Sequence, residues 1–359
     1  MIGERILQAR KAAGLTLAEL GAQLGITHTA IQKFEQGLLT PNSTQLLALA
    51  KACGIRTEYF FRTNTVELIN PEFRKRVRFG KTAQEKVLIR ATEQAERRVK
   101  LLGLYPITPI EPFTVPKALP HRIGNYEQIE EFSEALRNAW LLGMDQISDL
   151  CDTLETHGIF VLVIDEENTA FDGLMATALA DDGSIYPLIA VSKQWPADRQ
   201  RFTLAHELGH LMLSGRLGEE LDEEKACNRF AGSFLAPKPA VIQTLGQQRS
   251  ELEWHELYTL KHEYGLSMAG WLIRAKQCSV ITKNVYESHY IRFSKKGWRT
   301  REPGEPLAQE QPKFFQQLVF RALGESLITE SAAAALLGIP LMTLFRQRQL
   351  EPEDDAAHQ

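Results

Sequence analysis

Two histidines four residues apart, with a glutamate beside the first, stand at His206-Glu207-Leu208-Gly209-His210. On a helix such residues share a face, so both imidazoles can point at one metal ion. Glu207 can then carry its carboxylate to a water at that ion. The chemistry of this spacing is hydrolytic, with two imidazole ligands for zinc and a glutamate as general base. A catalytic zinc site needs three protein ligands and one open position. Leu204, Ala205, Leu208, Leu211, Met212 and Leu213 make the segment apolar nearly all round, which predicts a buried helix. Histidines and a glutamate buried there must be paired or hold metal, so a solvated polar face is a poor account of them.

A candidate third ligand lies 14 residues past His210, at Glu224. Cys227, Phe230, Ala231, Phe234 and Leu235 follow at helical spacing and predict a helix packed on one side. Glu224, one turn before Cys227, belongs to that inward face. Glu223 sits about 100° round the helix and reads as a solvated first-turn acid. Glu219, Glu220 and Asp222 read as surface charges, and Pro237 ends the helix.

His-Glu-Leu-Gly-His-Leu-Met-Leu at 206–213, then Glu224-x-x-Cys-Asn-Arg-Phe-Ala and Phe-Leu-Ala-Pro, resembles the ImmA/IrrE metallopeptidases over roughly residues 125–290. Cys227 stands where that family usually has alanine; a buried thiol behaves as a small apolar group. The resemblance implies His206, His210 and Glu224 as zinc ligands, Glu207 as catalytic base and a zincin-like fold. It also implies a protein substrate, a repressor or other regulator of stress or mobile-element genes. Mn²⁺ or Fe²⁺ also fits a His₂Glu site.

The elements that must position these groups read as α+β. Helices are expected over 126–142 and 146–156, with strands at 158–164, 171–176 and 184–191 ahead of the metal helix. In zinc peptidases an edge strand beside the metal takes the substrate backbone by strand addition. By resemblance Tyr186–Val191 is the candidate for that strand, with a core strand as the alternative. His255, His262 and Tyr264 lie downstream and read as support for the site rather than as catalytic groups.

Upstream, Ile2–Ala13 forms one helix, stopped by Gly14. Thr16 with Glu19 is a capping box opening a second, and Thr27 caps a third after the turn at Gly25. Helix, glycine turn, helix is a helix-turn-helix layout. Leu17-Ala18-Glu19-Leu20-Gly21, Gly25-Ile26-Thr27, Phe34-Glu35-x-Gly37 and Leu49-Ala50-Lys51-Ala52 resemble the Xre/Cro-type repressor domain across 1–62. The resemblance implies that the third helix enters the major groove of double-stranded DNA, with His28, Thr29, Gln32 and Lys33 as contacts. Such repressors pair on two half-sites, which makes a homodimer an expectation.

Between the two units, residues 63–124 read as a basic helical connector and a proline-rich linker. Arg74–Arg78 and Lys81 form a basic cluster, and Val87, Ala91, Ala95 and Val99 stripe a long helix from Thr82. Pro106, Pro109, Pro112, Pro116 and Pro120 predict a stiff extended segment. Residues 291–350 read as a helical C-terminal region with a small helix-turn-helix used for packing or protein recognition, and 351–359 as a disordered tail.

The bulk numbers suit this reading. The chain has 359 residues, 44% hydrophobic and 24% charged, enough for two or three soluble domains. It has no run of eighteen apolar residues, and its first residues, MIGERILQARKAAG, lack the apolar core of a secretory signal. Cysteines at 53, 151, 227 and 278 form no CxxC pair, so a disulfide framework or zinc ribbon is not expected. A cytoplasmic chain without a membrane partner follows. The expected whole is an all-α helix-turn-helix bundle, an α+β zincin-like domain and a helical tail. The rival to a peptidase is a DNA-binding regulator whose metal site is structural or sensory. Self-cleavage near 103–120 is a third possibility.

Overall fold

The computed structural model describes residues 2–61, 65–75, 79–166 and 171–350. The N-terminal bundle comprises α1 (Ile2–Ala12), α2 (Leu17–Leu24), α3 (His28–Glu35) and α4 (Ser43–Cys53), closed by a 3-10 turn at Thr57–Phe61. Local chemistry sets these ends. Thr16 accepts from the Glu19 N–H while Glu19 returns a bond to the Thr16 N–H, and Gly25 takes the left-handed cap with φ 68°. Ile6, Leu20, Ile31, Phe34, Leu49 and Phe60 close a small apolar core.

The central sheet has four strands: β1 (Val66–Lys75), β2 (Phe160–Ile164), β3 (Phe171–Ala180) and β4 (Ile185–Ser192). Their order is β1-β3-β4-β2, with β2 parallel to β4 and the other pairs antiparallel. Strand β4 is therefore internal, paired on both sides. It cannot accept a substrate strand, which overturns the expectation for Tyr186–Val191 and favours the core-strand alternative. The outer edges belong to β1 and β2.

Strand β1 was not anticipated, because its sequence VELINPEFRK has no clean alternation and contains a proline. It is the connector, folded onto the sheet. The basic cluster expected there falls partly at 76–78, outside the described residues. Next comes α5 (Lys81–Leu102), whose Val87, Ala91 and Ala95 are buried against Leu162, Leu174, Ala176, Ala178, Leu188 and Ala190 on one sheet face. Val161, Ile189 and Val191 point to the other face, against Leu204, Ala205 and Leu208 of the metal-site helix. This is the two-residue alternation of a sheet covered on both sides.

That second face is built from α6 (Tyr126–Ala139), α7 (Leu150–Thr156), α8 (Ala197–Leu213), α9 (Glu223–Leu235), α10 (Lys238–Leu245), α11 (Trp254–Tyr264), α12 (Met268–Gln277) and α13 (Lys283–Lys295). Helices α6 and α7 are shorter than expected: α6 stops at Ala139, and Asp149 caps α7 by accepting from the Asp152 N–H. The C-terminal α14 (Phe314–Gly324), α15 (Glu330–Leu337) and α16 (Leu341–Gln349) join the α5 side, and the tail expected at 351–359 lies outside the described residues. Arg5 of α1 reaches Glu96 of α5 through two bonds of 3.0 and 2.9 Å, tying the bundle to the body. No helix among the described residues is long and apolar enough to cross a membrane.

Candidate metal centre

Helices α8 and α9 pack closely because Gly209 gives them room. A Cβ there would come within 3.1 Å of Phe230 Cδ1 and 3.3 Å of Cys227 Cα. That approach brings the start of α9 over the histidine face of α8. His206 and His210 turn their Nε2 atoms toward each other at 3.1 Å. Each Nδ1 has a separate partner at 3.1 Å, Asn228 Oδ1 for His206 and Glu223 Oε1 for His210. A carboxylate or amide oxygen accepts, so each Nδ1 carries the proton and each Nε2 presents a lone pair. The tautomers are assigned from these partners.

Glu224 adds a carboxylate 3.5 Å from both Nε2 atoms. Three acceptors thus converge from His206, His210 and Glu224, all within 4.8 Å of one another. Converging acceptors repel unless a cation or a proton lies among them. Two oriented imidazoles and a carboxylate are the donor set a divalent metal takes, and the oxygen partners behind the rings fix their aim. The residues present therefore fit zinc.

Glu223 and Glu224 differ from expectation in position. Glu223 is not merely a solvated acid, since it accepts from His210. Glu224 was placed on the buried face, yet its side chain is 65% exposed, so it closes the mouth of the cradle. Two further residues were missed. Asn228 lies one turn after Glu224 on the same helical face, a signal available from spacing. Glu72 of β1 reaches to 3.8 Å from His210 Nδ1, and nothing in the linear sequence points to it.

Glu207 is 1% exposed and lies beneath β3. Gly173 makes that approach possible: a Cβ there would come 2.8 Å from Glu207 Oε1 and 2.6 Å from Thr203 Cγ2. Cys227 is buried behind the candidate ligands. Burial, and then the nearby Glu223, Glu224, Glu207 and Glu72 carboxylates, push its thiol far above the usual range, so in the metal-free chain it stays protonated. Helix α9 is anchored from behind by Glu130 of α6, which pairs with Arg229 at 2.6 Å and Arg274 at 2.5 Å. His262 bonds the Tyr258 and Glu305 carbonyls and His255 packs on Tyr258, while Tyr264 is buried against Trp271. These three support α11 and its neighbours.

On α3, His28, Thr29, Gln32 and Lys33 are all exposed, while Ile31 and Phe34 are buried. The helix thus offers one polar face to solvent.

Comparison with known proteins fits this division. Residues 6–60 match the helix-turn-helix family model, and residues 154–276 match the model described as the IrrE N-terminal-like domain, of the M78 peptidases. The chain is a helix-turn-helix DNA-binding domain fused to an IrrE-like M78 domain. It is 35% identical to the radiation response metalloprotease IrrE of Deinococcus radiodurans over 80 residues, covering 18% of this chain and 24% of that protein. It is 36% identical to repressor protein C2 of Salmonella phage P22 over 62 residues, 17% of this chain and 29% of the repressor. An uncharacterized HTH-type transcriptional regulator of Sinorhizobium fredii is 32% identical over 73 residues, 20% of this chain and 50% of the relative. The chain thus spans from a quarter to half of these relatives.

Proposed function

We propose that the chain is a DNA-binding transcriptional regulator joined to a zinc-dependent metallopeptidase, which hydrolyses a peptide bond in a protein substrate. The observation that carries this is the convergence of His206, His210 and Glu224 beside the buried Glu207. A purely structural or sensory metal site needs ligands but no general base. By the likeness to IrrE and to repressors, the substrate is a repressor or another regulator in a stress or mobile-element response. The helix-turn-helix unit divides from the sheet domain near 62, with β1 and α5 belonging to that sheet, and the helical C-terminal region begins near 290. The protein works in the cytoplasm as a homodimer on DNA, with His28, Thr29, Gln32 and Lys33 at the major groove.

Zinc, once bound, polarises the scissile carbonyl and makes water a better nucleophile at neutral pH. His206 and His210 would hold it through Nε2 and Glu224 through its carboxylate. Asn228 and Glu223 keep the rings aimed by accepting their Nδ1 protons. Glu207 takes the proton of the attacking water and delivers it to the leaving amine. The cover of β3 keeps bulk water from the base.

The test separates ligand from base. Glu207→Gln should keep one zinc per chain and lose cleavage, while His206→Ala should lose both. If the intact and Glu207→Gln chains process proteins identically, the peptidase reading fails.

A further inference from the structure

Strand β1 lies outside the 154–276 stretch that matches the IrrE N-terminal-like domain. Without it, the free edge of the sheet beside the metal cradle is β3. The connector covers that edge, antiparallel, with Glu72, Phe73 and Arg74 opposite Met175, Leu174 and Gly173. Gly173 is the residue lying over Glu207, and Glu72 sits 3.8 Å from His210 Nδ1. The connector therefore runs past the base and a candidate ligand, along the edge where strand addition would place a peptide.

Its attachment is interrupted. The ladder shifts between Ile69 and Glu72, where Asn70 takes a positive φ of 50° and Pro71 has no N–H to give. Two short runs of pairing hold the strand on either side of that break. Its apolar grip is Val66, Leu68 and Phe73, with Phe73 against Phe79 and Phe171 at centroid distances of 5.6 and 6.4 Å. At its start, the Thr65 N–H donates to Glu96 at 3.4 Å, the carboxylate that also holds Arg5 of α1. One carboxylate thus links the strand to the helix-turn-helix unit.

We propose that the edge of β3 is the peptide-binding edge of the candidate peptidase, and that β1 is its resident occupant, displaced by substrate. The proposal rests on the peptidase reading. The partner it fits is an extended protein segment with apolar side chains at the positions opposite Ala178 and Leu174 of β3, now filled by Leu68 and Phe73.

The binding experiment uses full-length, metal-free chain carrying Glu207→Gln, so no binding outcome depends on catalysis. Ile69→Cys with Thr177→Cys places thiols on residues directly opposite, about 4.5–5.5 Å apart at Cα in an antiparallel pair. That is within disulfide reach. The probe is a fluorescein-labelled peptide of the strand's own sequence, VELINPEFRK, followed by anisotropy. The oxidised, locked protein should bind it at least tenfold more weakly than the same protein reduced. Phe73→Ala, which loosens the resident strand, should bind more tightly than the unlocked parent. Equal binding to locked and reduced protein overturns the proposal, as does no binding to the Phe73→Ala chain. A new terminus within 66–75 in the zinc-loaded, Glu207-intact chain also overturns it, since β1 would then be a substrate. Absence of any proteolysis with binding as described would remove the peptidase reading and leave the strand-binding edge standing.

Discussion

Gly173→Ala should separate chemistry from metal binding. The added methyl carbon would lie 2.6 Å from Thr203 Cγ2 and 2.8 Å from Glu207 Oε1. Carbon contacts relax near 3.5 Å, so the neighbours must move by about 0.7–0.9 Å. The φ at this residue is not in the left-handed region, so the backbone accepts alanine and the stress falls on Thr203 and Glu207. Overpacking of this kind costs about 1–3 kcal/mol of stability. Misplacing a reacting group by about 1 Å costs on the order of 100-fold in rate. His206, His210 and Glu224 are not among the three nearest contacts of the added atom, so zinc should stay at one per chain. The assay is threefold: zinc content, thermal midpoint, and turnover of the substrate whose cleavage depends on Glu207. Adding Thr203→Ser removes the nearer obstacle and should recover stability without recovering rate. Full activity in Gly173→Ala, or loss of zinc along with activity, would refute this placement of the base.

Further outcomes follow from the same geometry. Asn228→Ala and Glu223→Ala should each weaken zinc binding by about 10- to 100-fold, measured by chelator competition, because they leave the rings unaimed. Burial raises the Glu155 carboxyl to about 7, although Arg98 and the Phe314 N–H pull the other way. The folded chain then holds a proton that the unfolded chain has released, so this group's stabilisation is complete below about pH 4.5 and is lost as pH rises toward 7. At about 1.4 kcal/mol per unit the loss is on the order of 3 kcal/mol, and Glu155→Gln should flatten that part of the denaturation-versus-pH curve. Glu96→Ala leaves the Arg5 guanidinium buried without this carboxylate and should cost about 3–5 kcal/mol in chemical denaturation. Lys33→Ala should reduce the salt dependence of DNA binding, whereas Gln32→Ala should relax preference at one base pair by about 1–3 kcal/mol.

The metal helix was legible in sequence because its spacing and apolar surroundings both constrain it. The helix-turn-helix was legible because Thr16, Glu19, Gly25 and Thr27 act locally, within one or two turns. What escaped was long-range pairing. Strand β1 joins β3 across about a hundred residues, and its proline and broken alternation hide it. Tyr186–Val191 reads equally as an edge or an inner strand, and only the order of the sheet decides. Glu72 enters the site through that same unanticipated strand. Gly173 is ordinary in sequence, and its need for a hydrogen side chain appears only with Glu207 beneath it.

The most direct measurement compares new protein N-termini in cells carrying the intact chain and in cells carrying Glu207→Gln, under basal and DNA-damaging conditions. A small set of termini present with the intact chain and absent with the substitution is the expected result, and it would name the substrate as well. Identical termini and identical transcript levels in both strains would contradict the account, leaving a DNA-binding regulator whose metal site does no chemistry.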